Sequence, residues 1–326
     1  KTLDTYTILF VYLDMKNKYI VGDNLDILKS IDFEYDFCYI DPPYNTGRDL
    51  GDFGDKFESM SSFIDFLKPR FEAIHSKLNN NGNLIVHIDP IASHYIKVCL
   101  DEIFGIKNYK NEIILTTSSL MKSTKKLMRS HDVLLVYSKN STKATYNQQY
   151  TPHDLSDNNI KYLEDSIGKY TTSPAHYSPS NVIVRPNLRY EWNGHTHQWW
   201  VSKEKMQKLH DDGRLRYNKE GIPRIKRYLH ETKGIPFKDV WTDISSLQPK
   251  EKLDYATQKP IKLLERLLDL YTNKNDLCLD IFAGSGTLGR ACLEKNRNFT
   301  LIDINPKGEE TFNGSISNTI YKINLN

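Results

Sequence analysis

Short apolar runs alternate with amphipathic stretches at both ends of this chain, and not in its middle. Ile20-Val21, Gly22-Asp23-Asn24, then Leu25 and Leu28 read as strand, turn and helix. Residues 36–40 form a compact apolar run that stops at Asp41-Pro42-Pro43-Tyr44. Two prolines cannot continue a central ladder, so this segment is a loop at a strand's C-terminal end. Phe63, Phe66, Leu67, Arg70, Ile74 and Leu78 recur at helical spacing, and Asn79-Asn80-Asn81-Gly82 is expected to stop that helix. Residues 84–88, 113–117 and 133–137 read as strands and 92–104 as a helix. The pattern resumes late in the chain, with a helix marked by Ile261, Leu264, Leu267, Leu268 and Tyr271. Strands over 277–281 and 299–304 then flank a helix over 287–293. Such alternation calls for an α/β fold whose mostly parallel sheet is covered on both faces.

The middle breaks the pattern. From 142 to 255 periodicity is poor, Pro, Gly, His and Tyr are frequent, and all four tryptophans occur there. One α/β domain, built from 15–141 and 256–306, is therefore expected to be interrupted by an inserted domain over 142–255. Residues 1–14 and 307–326 are left as terminal extensions. The first of these reads as an edge strand or a stretch before a start at Met15, and residues 311–326 of the second as a polar tail or edge strand.

An apolar fraction of 39% and a charged fraction of 26% allow a sizeable core. With 44 Lys and Arg against 41 Asp and Glu, the net charge of +3 excludes a polycation but permits a local basic face. Cys38, Cys99, Cys278 and Cys292 lie far apart without CxxC spacing, which argues against a zinc site and a disulfide framework. Apolar residues 8–13 lack a small-residue cleavage site, so they do not read as a signal peptide. No apolar run approaches the roughly 18 residues of a membrane span. A cytoplasmic protein with no membrane partner is expected.

Two segments carry chemistry. Asp280-Ile281-Phe282-Ala283-Gly284-Ser285-Gly286-Thr287 follows a strand and opens a helix. Its small residues let a ligand approach the backbone, and the helix N-terminus favours a negative group. Asp303 ends the next strand, where an acid can bond a ribose. The segment suits an adenosine-containing ligand or is a glycine-rich turn without one. It matches neither G-x-G-x-x-G nor a P-loop. In Asp41-Pro42-Pro43-Tyr44 the prolines hold a carboxylate and an aromatic ring rigidly. Such a pair can grip a planar, amine-bearing ring, the carboxylate taking the amine hydrogens while the aromatic face stacks. The alternative is a proline-rich turn capped by an Asp.

Residues 41–47, 66–70, 86–89, 131–137, 257–260 and 280–287 resemble, in that order, the motifs of DNA amino-methyltransferases. The target-amine motif precedes the cofactor loop, as in the circularly permuted beta-class adenine-N6 enzymes, including the modification subunits of type III restriction-modification systems. Residues 226–229 and 240–244 of the insert look similar too. This resemblance implies a Rossmann-like fold using S-adenosylmethionine, with an inserted target-recognition domain. It makes Asp41, Pro42, Pro43 and Tyr44 the catalytic segment, with Tyr44 stacking on an extruded base. It implies that Asp280, Phe282, Gly284, Gly286 and Thr287 line the cofactor and that Asp303 binds its ribose. Lys259 would face the methionine carboxylate and Asp23 would lie near the adenine ring. Cytosine-N4 or RNA methylation and an inactive DNA-binding relic are the competing readings. Leu288 departs from the second Thr that relatives often carry, and type III modification subunits are usually longer than this chain.

Double-stranded DNA is the implied partner, with a homodimer and a restriction subunit in trans left open. Lys122, Lys125, Lys126 and Arg129 lie in a basic loop with no acid, which reads either as a phosphate contact or as a solvated surface. Trp199-Trp200 are expected to anchor the core of the insert. His195-Thr196-His197 lacks further ligands and reads as structural, so no metal is expected.

Overall fold

The computed structural model describes residues 16–44, 57–117, 125, 127–156, 160–178, 185–244, 247, 249–255 and 257–323, with side chains given to 316. The chain divides into two compact units, one from 1–149 and 238–326, the other from 150–237.

The first unit is the expected α/β layer structure. Its strands are β1 (Lys18–Val21), β2 (Tyr35–Ile40), β3 (Leu78–Ile88), β4 (Tyr109–Thr116), β5 (His131–Ser138), β6 (Val240–Trp241), β7 (Leu277–Asp280) and β8 (Asn298–Asp303). They form one sheet in the order β1-β8-β7-β2-β3-β5-β4-β6. The pairs from β1 to β3 and the pair β4–β6 are parallel, while β5 runs antiparallel to both β3 and β4. Five adjacent strands therefore end at the same edge, where the loops after β2, β7 and β8 gather. Chain order reverses between β2 and β7, the position at which open α/β sheets form a ligand crevice.

Helices α1 (Asn24–Ser30), α2 (Met60–Lys77), α3 (Pro90–Phe104), α4 (Ile261–Tyr271), α5 (Thr287–Lys295) and α6 (Pro306–Ile323) cover the sheet. Their starts are written locally. Ser59 and Ser62 form a capping box for α2, and Asp89 caps α3 through the Ile91 and Ala92 N–H groups ahead of Pro90. Phe63, Leu67, Phe71 and Ile74 of α2 are fully buried with Cys38, Ile40, Leu84 and Val86 of the sheet. No described helix is long and apolar enough to cross a membrane.

Two expectations need correction, and one boundary is sharpened: α2 stops at Lys77, just before Asn79-Asn80-Asn81-Gly82, and β3 begins directly at Leu78 and includes these residues. Their amides find partners inside the sheet layer, Asn79 Nδ2 donating to Asp36 Oδ1 at 2.7 Å and Asn81 Nδ2 to Thr145 Oγ1 at 3.3 Å. The boundaries of the insert also shift from 142 and 255 to 150 and 237. Asn147 bonds to the Leu270 and Thr272 carbonyls, and β6 adds to the edge of the main sheet, so both flanks belong to the first unit. The late polar stretch is helical rather than a tail or strand. Phe312 of α6 is buried, with ring centroids 5.9 Å from Tyr19 and 5.6 Å from Phe299.

The second unit has a four-stranded antiparallel sheet in the order Leu215–Tyr217, Pro223–Tyr228, Gly168–Pro174, Leu163–Asp165. Two-stranded ribbons and the helix Lys203–Asp211 complete it. Ala175, Trp199, Met206, Leu215 and Ile225 form its core. Trp199 anchors this core, its indole N–H donating to the Tyr190 carbonyl at 2.8 Å, but Trp200 does not and stands 50% exposed.

Candidate active site

Strand direction makes the site. Because β2, β7 and β8 are parallel neighbours, Asp41, the 280–287 loop and Asp303 emerge side by side. Tyr44 Oη donates to Asp41 Oδ1 at 2.6 Å. Lys259 Nζ donates to Asp41 Oδ2, and also to Tyr44 Oη at 3.2 Å, with the ammonium 5.2 Å from the Tyr44 ring centroid. Pro42 is buried beside them and Pro43 half-buried. Burial pushes the Tyr44 hydroxyl well above its usual range, and the Asp41 carboxylate adds to the shift. Lys259 is thus engaged with Asp41 and Tyr44, whereas the resemblance alone sends it to a cofactor carboxylate.

A second layer backs this segment. Tyr39 Oη lies 2.8 Å from His87 Nδ1, and His87 Nε2 lies 3.4 Å from Asp132 Oδ2. The His87 ring centroid is 6.2 Å from that of Tyr44. Burial raises the Asp132 carboxyl, but the His87 bond and the Lys259 and Arg129 charges outweigh it and hold the group below its usual range. Arg129 closes the cluster, reaching Asp89 Oδ2 at 3.0 Å and Asp132 Oδ1 at 3.4 Å. Two carboxylates thus hold the Arg129 guanidinium while its side chain stays 45% exposed. Lys125 is exposed, and Lys122 and Lys126 lie outside the described residues. Arg129→Ala is expected to lower stability by about 1–3 kcal/mol, because two mostly buried carboxylates lose their cation. Denaturant unfolding measures this, and the salt dependence of DNA binding should stay unchanged.

The glycine loop is held from below. Gly284 and Gly286 have φ of +51° and +72°, the left-handed region that favours glycine. Asp303 Oδ2 accepts from the Gly284 N–H at 2.8 Å, and its Oδ1 from the Asn305 N–H at 2.9 Å. Each oxygen keeps a lone pair for a further donor, so the carboxylate can still take a ribose hydroxyl. Burial pushes the Asp303 carboxyl up while these backbone bonds pull it down. Burial drives Asp280 well above the carboxylate range, with Asp41 and Asp303 adding repulsion, and its Oδ1 accepts from the Phe282 N–H at 3.0 Å. Phe282 is half-buried, 6.3 Å from Phe66, and the Thr287 hydroxyl is buried 3.1 Å from that of Ser285. Asp23 caps α1 through the Leu25 and Asp26 N–H groups and meets Arg70 Nη2 at 3.3 Å.

Three residues had no role in the sequence reading. Asn24 donates to the Ile281 carbonyl at 2.7 Å and accepts from Arg70 Nε at 2.6 Å, tying α1 and α2 to the loop. Tyr19 Oη donates to the Gly284 carbonyl at 2.7 Å. Arg70 stands within a quoted motif, and its stacking on Phe66 at 3.8 Å fits the i, i+4 spacing.

Comparison with known proteins agrees with this geometry. Residues 35–313 match the DNA methylase family N6_N4_Mtase. The Mod subunit of the type III restriction-modification enzyme StyLTI from Salmonella typhimurium is 27% identical, over 86% of this chain and 50% of its own. The type II methyltransferase M.KpnI from Klebsiella pneumoniae is 27% identical over 85% of this chain and 76% of its own. This chain thus spans about half the length of the StyLTI subunit and three quarters of M.KpnI. The crystal structure of the M1.HpyAVI-SAM complex superposes with a TM-score of 0.50 and 18% identity, covering 91% of this chain and 98% of that one, which supports the Rossmann-like fold. A family match over most of the chain, with both motifs at one sheet edge, leads to one conclusion: the chain belongs to the DNA methylase family.

Proposed function

We propose that this protein transfers a methyl group from S-adenosylmethionine to the N6 amine of an adenine extruded from double-stranded DNA. The observation that carries the reading is the Asp41–Tyr44–Lys259 cluster, set at the crevice between β2 and β7 beside the glycine loop. Relatives named as type III Mod subunits and type II methyltransferases support it.

Gly284, Gly286, Phe282 and Asp303 would hold the cofactor, and their geometry fits one that carries hydroxyl donors. When bound, the cofactor supplies an electrophilic methyl on a sulfonium. The residues supply the rest. An exocyclic amine is a poor nucleophile while its lone pair is delocalised into the ring. Asp41, fixed by Tyr44 and Lys259, has a lone pair left on each oxygen, and with the Pro42 carbonyl it can accept both amine hydrogens. Those bonds favour sp³ character at nitrogen and orient it for attack. Tyr44 offers its ring to the extruded base. Loss of the ring should cost more than loss of the hydroxyl. Tyr44→Ala is expected to lower single-turnover methylation by roughly 10- to 100-fold and Tyr44→Phe by less than about tenfold, from stacking worth about 1–3 kcal/mol.

The decisive experiment incubates the protein with labelled S-adenosylmethionine and duplex DNA of mixed sequence, then digests the DNA to nucleosides. Label in N6-methyladenine supports the reading. Label in N4-methylcytosine, or no label in the DNA, overturns it.

As partners we read a restriction subunit in trans, from the names of the Mod relatives, and a second copy of the chain. For the latter, Tyr95 and Val98 of α3 are exposed along a groove shared with Met60 and Ile64 of α2. The location follows the substrate, in the cytoplasm.

A further inference from the structure

Trp200 is exposed in a way that its neighbour Trp199 is not, and its ring is not loose. Its centroid lies 3.7 Å from that of Tyr177 at an interplanar angle of 32°. Backbone bonds fix both residues, the Trp200 N–H donating to the Ala175 carbonyl and the Tyr177 N–H to the Gln198 carbonyl, each at 2.9 Å. Arg185 stands over Tyr177. Its guanidinium carbon is 5.9 Å from the Tyr177 centroid, its Nη1 donates to Tyr177 Oη at 3.4 Å, and its own N–H donates to Gln198 Oε1 at 2.7 Å. Among the described residues no ion pair includes Arg185, whereas Arg214 and Lys226 of the same unit are bound to Glu231 and Asp165. Residues 150–237 carry fourteen Lys and Arg against ten Asp and Glu, more than the net charge of the whole chain.

We propose that Tyr177, Trp200 and Arg185 form a DNA-contact surface on the second unit, Trp200 packing against a base or deoxyribose and Arg185 neutralising a phosphate. This rests on duplex DNA being the substrate. An aromatic pair already held in contact loses little freedom when it meets another flat surface, and a cation without a carboxylate partner gives up no ion pair to take a phosphate. The unit's positive balance favours a polyanion over a protein partner.

The test measures binding of the full chain to a pool of random-sequence duplexes across a salt series, with methylation of the same pool followed in parallel. Trp200→Ala should weaken binding by roughly tenfold, and Trp200→Phe should restore most of it. Arg185→Gln should lower the slope of log Kd against log salt by about one. Labelled S-adenosylmethionine should bind all three variants as it binds the wild type. Trp200→Ala and Arg185→Gln variants that bind DNA as tightly and with the same slope as an active wild type overturn the surface and leave the methyltransferase reading intact. A wild type that methylates no DNA overturns the reading itself, and this proposal with it. If Trp200→Ala does not fold, the Arg185→Gln slope decides.

Discussion

Asp41→Ala is expected to slow methyl transfer to DNA by about a thousandfold while labelled S-adenosylmethionine still binds within a few-fold of the wild type. The carboxylate is the point where the two halves of the site meet. Tyr44 donates to one oxygen and Lys259 to the other, and no other described side chain donates to it. Removing one preorganised polar group of this kind costs about 10²- to 10³-fold in turnover. Here the loss should reach the upper end, since Lys259 would then face the amine with its own hydrogens and repel them. Side chains of Lys259 and Asp41 are only 20% and 14% exposed, so water replaces the lost partner poorly. Single-turnover rates at saturating cofactor measure the effect. A variant that keeps a tenth of the wild-type rate would remove Asp41 from the reaction.

Gly286→Ala should be a strongly damaging small substitution outside the Asp41–Tyr44 segment. Its φ of +72° costs an alanine about 1–2 kcal/mol. A Cβ there would also stand 2.4 Å from Phe312 Cδ2 and 2.8 Å from its Cγ. Phe312 cannot easily withdraw, being buried between Tyr19 and Phe299. Overpacking of this kind adds about 1–3 kcal/mol, so a total of about 2–5 kcal/mol is expected, a large part of a typical domain's stability. Cofactor affinity should fall with it, because this residue opens α5. Gly314→Ala is the control: it lies in α6 with nothing near its Cβ and should stabilise by roughly 0.5–1 kcal/mol. Denaturant midpoints separate the two, and equal midpoints for Gly286→Ala and the wild type would contradict the packing.

What could be read from the chain beforehand were the features written in short stretches. Asp41-Pro42-Pro43-Tyr44 and the 280–287 loop each announce a strand end, and buried strands need only a run of apolar residues. What could not be read depends on contacts across the fold. Nothing near Arg129 in the sequence shows that Asp89, forty residues earlier, will share its guanidinium. Tyr19 supports Gly284 across 265 positions, and only the β1–β8 pairing puts them together. Trp199 and Trp200 look alike as neighbours, yet the ladder turns one into the core and the other outward. The polar stretch after Pro306 carries few apolar residues, and its helix is recognisable chiefly through Phe312 meeting the sheet.

The place of β7 also bears on how the protein is made. It lies between β8 and β2, although the ribosome delivers it some 240 residues after β2. Until then the nascent first half exposes the open edge of β2, an invitation to wrong pairing. The second unit can finish folding meanwhile, since all its strands precede β6. Closing the sheet waits for contacts of very long sequence separation, the kind that slow folding most. A nascent chain halted before Lys259 would hold Asp41 and Tyr44 but not the cation that binds them, so an interrupted translation product has no assembled site.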